Sequence, residues 1–169
     1  MATVDIEQGN QKLAWAREHM PVHAALRERL GRTRPLAGIT LAACSHVEAK
    51  TGVFLETLAA AGAEVVFTGS EPGSSQDDVV AALNERDGIT GYARRGVSEA
   101  ELEALHLQAL DHEPTFILDD AAELTARMVN QRPALLANFV GMCEQTTTRV
   151  QRLEAMARAD ALPFPAYAV

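Results

Sequence analysis

Apolar runs of strand length recur along this 169-residue chain, and segments of helical period separate them. The runs are "GITLAACS" (38–45), "AEVVFTGS" (63–70), "GITGYAR" (88–94), "PTFILDD" (114–120), "PALLANFVG" (133–141) and "LPFPAYAV" (162–169). The segments between them, "HVEAKTGVFLETLAAAG", "QDDVVAALNERDG", "SEAELEALHLQALDHE", "AAELTARMVNQR" and "EQTTTRVQRLEAMARADA", place apolar residues at helical spacing. Gly62 and Gly88 stand where helices usually stop. Five successive strand–helix–strand units predict an α/β, Rossmann-like, doubly wound and mostly parallel sheet of six strands, joined by right-handed crossovers. Residues 1–35 read as an N-terminal helical segment whose apolar face is Leu13, Trp15, Ala16, Met20, Ala24, Leu26 and Leu30. Pro21 divides it into two helices and "GRTRP" ends the second. With no linker, repeat or low-complexity tract, the reading is one domain over 1–169, with helices over 1–35 and an α/β core over 36–169.

Composition narrows the partners. A formal charge of −8 argues against binding a nucleic-acid backbone, which needs a cationic surface. No apolar run approaches the ~18 residues of a membrane-spanning helix. The start "MATVDIEQGNQKL" has no basic stretch followed by an apolar core, so no secretory signal is expected and the chain reads as cytoplasmic. Cys44 and Cys143 are too few for a disulfide framework and read as reduced, buried thiols.

In open α/β sheets ligands sit beyond the carboxyl ends of the strands. The fold therefore gathers Ser45-His46 with Glu48, Gly69-Ser70 through Asp78, Asp119-Asp120 and Glu144-Gln145-Thr146 on one rim. His46 should open the first crossover helix, where it can shuttle a proton or simply fill a polar crevice. Glu48 and Lys50 fall in the first turn of that helix; the carboxylate suits the helix N-terminus, and the lysine calls for an anion or for solvent. Ser74 or Ser75 should cap the next helix, with Asp77 and Asp78 in its first turn. Asp119 and Asp120 point to opposite faces, so one should meet the crevice while the other caps "AAELTARM". No zinc spacing, no nucleophile elbow and no glycine-rich phosphate loop is present, so neither a metal nor a bound cofactor is expected.

Four stretches occur in an order that resembles the N-terminal, substrate-binding part of the S-adenosyl-L-homocysteine hydrolase family. They are "LAWAREHMPVHAALRE", "CSHVEAKTGVFLETLAAAGAEVVFTGSEPGSSQDDVVAAL", "FILDDAAELT" and "CEQTTTRVQRLEAM". The family carries His-x-Thr or His-x-Glu after the first strand, a Ser-Thr-Gln-Asp loop, Ile-x-Asp-Asp-Gly at a strand end, and Glu-Glu-Thr-Thr-Thr-Gly. The form "HVEAKT" resembles the archaeal branch, for which S-inosyl-homocysteine is a candidate substrate. The resemblance implies that His46 stands near the ribose as a proton-transfer residue and that Glu48 meets the adenosine side of the pocket. It makes Asp120 an acid/base residue and Thr146 a nucleoside contact. Ser74, Ser75, Gln76 and Asp77 become the matching pocket-wall loop.

The departures from the family carry weight too. Gln145 stands where the family places a ribose-binding glutamate, so a neutral amide replaces a charged double acceptor. Ala121 and Ala122 stand where it has glycines, and so does Arg149, from which a reach across the ligand space is expected. Family members continue into a complete NAD-binding domain, and the hydrolase reaction starts by oxidising the ribose. The leading expectation is therefore a stand-alone domain repurposed for redox-independent acid/base chemistry, by addition/elimination or cyclisation, on a small polar or nucleoside-like substrate in a specialised biosynthetic pathway. His46, Glu48, Asp120 and Glu144 are its candidate catalytic groups, and Lys50, Ser74, Ser75, Gln76, Asp77, Gln145, Thr146 and Arg149 its candidate binding groups. The alternative is a non-catalytic binder of a nucleoside thioether, or one subunit of a split enzyme paired with a separate NAD-domain chain. Self-association into a homo-oligomer is expected in either case.

Overall fold

The computed structural model describes residues 4–169, apart from the side chains of Thr148 and Arg152, so the first three residues of the helical segment 1–35 lie outside the described ones. Two helices, α1 (Ile6–Glu18) and α2 (Pro21–Thr33), precede a sheet of β1 (Thr40–Ser45), β2 (Glu64–Gly69), β3 (Ile89–Tyr92), β4 (Phe116–Asp119), β5 (Gly141–Glu144) and β6 (Ala166–Ala168). The connecting helices are α3 (Ala49–Ala60), α4 (Asp77–Asn84), α5 (Glu99–Leu110), α6 (Glu123–Gln131) and α7 (Thr147–Arg158). All five strand pairings are parallel, in the order β3-β2-β1-β4-β5-β6. The Rossmann-like, doubly wound reading holds, and the winding reverses between β1 and β4.

That reversal decides where the helices lie. Along β1, Leu41 and Ala43 enter the core shared with Leu13 of α1, Leu55 of α3 and Leu83 of α4. Ala42 and Cys44 enter the opposite core, with Leu110 of α5, Leu124 and Met128 of α6 and Leu153 of α7. Helices α3 and α4 thus cover the β1–β3 half of the first face, while α5, α6 and α7 cover the second. No described helix covers the first face of β4 to β6, where the register row Ala43, Leu118, Cys143 and Tyr167 continues and Tyr167 is 58% exposed. A step between α3 and this uncovered half is the consequence.

The N-terminal helices divide at Pro21 as the sequence indicates, and Arg34, in the left-handed region at φ 44°, ends α2. Their contact with the core is narrower than the apolar pattern suggests. Leu13 and Ala16 are fully buried, but Trp15 is 55% exposed and stacks on His19, and α2 buries no residue completely. Gly9 lets α1 approach α4 closely, because a Cβ there would lie 1.9 Å from the carbonyl oxygen of Asp78.

The run "PALLANFVG" is not a strand. Pro133–Asn138 forms 3-10 turns and β5 begins only at Gly141. Proline supplies no N–H for a ladder at the start of the run. Leu135, Leu136 and Phe139 instead pack on the second core, with Phe139 edge-on to Phe164 at 4.9 Å between ring centres.

Candidate functional site

The step between α3 and the uncovered half of the sheet is a crevice of about 370 Å³ at the carboxyl ends of β1, β4 and β5. Thr51 and Phe54 of α3 form one wall, Leu118 and Cys143 the floor, and His46, Glu48 and Gln145 the mouth. Strand alternation sorts the polar residues around it. Cys44, Asp119 and Glu144 are register partners on the second face. Gln145, one residue further on, lines the crevice, and Asp120 lies beside its mouth, next to His46.

On the crevice side, His46 Nε2 lies 3.8 Å from Asp120 Oδ2 and 3.8 Å from Glu71 Oε1. These separations are too long for direct hydrogen bonds and leave room for a shared ligand atom. Asp120 is held firmly: its N–H donates to Cys44 O at 2.9 Å and Ser70 Oγ approaches Oδ2 at 3.5 Å. Rather than opening a helix, His46 lies in a short extended link, and α3 starts only after Glu48, its N-cap residue, whose side chain makes no capping bond. Glu48 is half exposed, with Lys50 Nζ 3.9 Å from its Oε1.

The loop expected to line the pocket braces it instead. Val47 N–H donates to Ser74 O at 2.8 Å, Gln76 N–H donates to Val47 O at 2.9 Å, and Val47 pairs with Ser75 in a parallel bridge. Neither serine caps α4, whose N-cap is Gln76. Ser74 Oγ donates to Glu71 O at 2.7 Å and closes the 71–74 turn, and Ser75 is buried. Gln76 Oε1 accepts from Lys12 at 3.0 Å, and Asp77 Oδ1 accepts the Arg95 N–H at 2.7 Å. Gln76 and Lys50 line a separate depression beside Trp15.

Behind the crevice, Asp119 performs the predicted capping from the core side. Its Oδ2 accepts Thr125 N–H at 2.8 Å and Thr125 Oγ1 at 2.7 Å. Burial pushes its pKa up to about 6, opposed by the Thr125 bonds and reinforced by the Glu144 charge. Glu144, expected among the acid/base groups, is fully buried, so a ligand in the crevice does not reach its carboxylate. Its Oε1 accepts Ala121 N–H at 3.1 Å and Thr146 N–H at 2.8 Å, which ties the loops after β4 and β5 together. The Thr146 hydroxyl also turns onto Glu144, so Thr146 stands at the N-cap position of α7 without capping the helix through its side chain. Arg149 does not reach across the ligand space: its Nη2 lies 3.5 Å from Glu123 Oε1 at the start of α6.

Three further features complete the surroundings of the crevice. Fully buried His106 donates from Nε2 to Gly69 O at 2.8 Å and accepts Arg127 Nε at Nδ1, at 2.9 Å. An arginine can only donate, so His106 is the neutral Nε2–H tautomer, and burial lowers its pKa. It fixes the strand end from which Ser70 departs. Burial raises both thiols, Cys44 most, with Asp119's charge adding to the effect, so neither is a ready nucleophile; Cys143 is only half-buried. Third, Ala121 and Ala122 both have positive φ, 84° and 53°, a region that disfavours residues with a Cβ. Ala121→Gly should raise stability by about 0.5–1 kcal/mol, the relieved strain exceeding glycine's added chain entropy. Urea denaturation checks this, and a loss of stability would refute the strain.

Strand order 3-2-1-4-5-6 is one in which many sheets bind a dinucleotide across the switch point, its pyrophosphate on the first helix N-terminus. The residues here do not fit that group. The turn Ser45–Glu48 contains no glycine, and Glu48 puts a carboxylate where the phosphates would lie. The crevice offers acceptors and an imidazole to a neutral, hydroxyl-bearing molecule.

Fold and crevice together define a Rossmann-like domain with a switch-point crevice, apolar on its floor and polar at its mouth, whose residues do not suit a nucleotide phosphate. Residues 3–135 match the family model of S-adenosyl-L-homocysteine hydrolase, and the chain belongs to that family. It is 46% identical to an S-inosyl-L-homocysteine hydrolase of Methanosarcina mazei over 97% of this chain. It is 48% identical to one of Methanopyrus kandleri and 46% identical to an adenosylhomocysteinase of Halobacterium salinarum, each over 96% of this chain. The chain spans about 40% of the length of these curated relatives.

Proposed function

We propose that the crevice binds the nucleoside portion of an S-nucleosyl-homocysteine thioether, with His46 and Asp120 as the pair that moves a proton at the ribose. The observation that carries this reading is the 3.8 Å gap between His46 Nε2 and Asp120 Oδ2 at the crevice mouth. A ribose hydroxyl seated to one side of the pair, at ordinary hydrogen-bond distance from each, can donate to the carboxylate and accept from the imidazole. Glu48 and Gln145 offer further polar contacts at the mouth, while Phe54 and Leu118 give the purine an apolar slot. The carboxylate at the start of α3 selects against phosphorylated nucleosides. Proton transfer is the chemistry these groups supply by themselves, and an addition/elimination or cyclisation needs only that.

A second reading is favoured by one observation, the sheet face of β4 to β6 that no described helix covers. In that reading the domain holds the thioether and a separate chain or segment brings the redox cofactor. Such a partner, or a second copy of this domain, would cover the sheet face that leaves Tyr167 exposed.

Calorimetry with inosine, adenosine and their homocysteine thioethers tests the shared premise. His46→Ala and Asp120→Asn should each weaken binding about tenfold or more, as expected for a hydrogen bond to an ionised group. Absence of binding by the wild type at millimolar ligand, or full affinity in both variants, would reject the site. Turnover of a bound thioether without added cofactor separates the first reading from the second.

A further inference from the structure

Three arginines meet one carboxylate on the far side of α3 from the sheet. Arg17 of α1 grips Glu56 with two donors, Nε at 2.8 Å from Oε2 and Nη2 on Oε1. Arg27 of α2 reaches Oε2 with Nη2 at 3.0 Å, and Arg86, after α4, reaches Oε1 with Nε at 3.3 Å. Glu56 is nearly buried, its side chain 8% exposed, while each arginine is 32% exposed. One arginine balances the charge of a carboxylate, although its lone pairs can accept from more than one. The other two leave the cluster with excess positive charge in a chain whose overall charge is −8.

A cavity of about 350 Å³ opens beside the cluster, between α1 and α2, lined by Arg17, Ala24, Arg27, Glu28 and Val53. Arg27 Nε is buried without a hydrogen-bond partner among the described residues, and the side chain, 32% exposed, meets the cavity through the rest of its guanidinium. Glu28, the one acid on the lining, pairs with Arg32 at 2.9 Å and has a 71% exposed side chain. We propose that this cavity is an anion site, in which Arg17 and Arg27 hold a phosphate group and the apolar remainder, Ala24 and Val53, accepts a small organic body. The ligand class is a phosphomonoester, with inorganic phosphate as the minimal form. It is distinct from the crevice, whose Glu48 repels phosphate.

Inorganic phosphate and glycerol phosphate are titrated into the whole chain, by calorimetry and by thermal denaturation against sodium chloride of matched ionic strength. Both should raise the melting temperature beyond chloride, with the ester binding more tightly; equal affinities would identify free phosphate as the ligand of the same site. Arg27→Gln should weaken binding about tenfold or more and Arg27→Lys should recover part of it. Ala24→Glu, at an exposed helix position, should abolish phosphate binding and leave nucleoside binding in the crevice unchanged. No response beyond chloride, or wild-type affinity in both Ala24→Glu and Arg27→Gln, would overturn the proposal. Loss of nucleoside binding alone would bear on the crevice and not on this site.

Discussion

Glu56→Ala should be the most damaging single substitution in this chain, lowering stability by about 3–5 kcal/mol, the range for removing one partner of a buried charge cluster. Burial by itself would raise the Glu56 pKa, but the Arg17 guanidinium, with Arg27 and Arg86, holds it below the ordinary carboxylate value. Alanine would leave those three cations facing one another, tied to nothing on α3. Helices α1 and α2 contribute few buried side chains, so this anchor carries much of their attachment. Glu56→Gln should be milder, because the amide still accepts hydrogen bonds, and added salt should partly rescue both variants by screening the arginines. Chemical denaturation at low and high salt measures this. A lowered folded pKa means that the stabilisation is present above the unfolded carboxylate pKa and disappears as pH falls through the folded one, so wild type and Glu56→Gln should converge in acid. A loss under 1 kcal/mol for Glu56→Ala, an estimate typical of exposed ion pairs, would show that the cluster is ornamental.

The cluster also illustrates where reading the sequence stops. Arg17, Arg27, Glu56 and Arg86 are widely separated, belong to no motif and meet only because two helices pack on a third. Sheet class and the rim at the strand ends followed from periodicity, because alternating apolar runs must be buried on two faces. Alternation also separates Asp119, which caps α6, from Asp120, which lies beside His46. The same rule applied to Glu144 and Gln145 sends the glutamate behind the sheet and the glutamine toward the crevice. Reading Glu144 as an acid/base group overlooked that parity. In "GSSQDD" a serine before a helix is a good cap locally, but here the bridge between Val47 and Ser75 fixes the loop first. "PALLANFVG" shows that an apolar run reports burial, and that a proline at its head decides against the ladder. Strand order, and with it the uncovered sheet half that forms the crevice floor, depends on which edge each crossover takes, and local pattern does not carry that.

Asp119→Asn should make the protein more stable near neutral pH. The Asp119 pKa rises from an ordinary 3.8 to about 6 because burial disfavours the charge and Glu144 repels it, more than the Thr125 bonds compensate. The folded protein therefore binds this proton more tightly than the unfolded chain does. Stability attributable to Asp119 is greatest below pH 4 and falls as pH rises through the interval up to about 6, after which the loss is complete at roughly 3 kcal/mol. Asparagine carries no charge at any of these pH values, and its carbonyl oxygen can still accept from Thr125 N–H and Oγ1. It gives up the weak approach of Leu124 N–H at 3.5 Å and alters the contact with the Cys44 thiol. The expected gain is about 1–3 kcal/mol at pH 8 and near zero at pH 4, read from urea denaturation at the two pH values. A destabilised variant at pH 8 would mean that the carboxylate is held by more than the Thr125 bonds and that its burial carries no net cost. The neighbouring Asp120→Asn supplies the contrast, because that side chain lies beside His46 at the crevice mouth and takes no part in capping α6. It should barely change stability while weakening nucleoside binding, so two adjacent aspartates on one strand end should separate cleanly into a charge the fold tolerates and a charge the site uses.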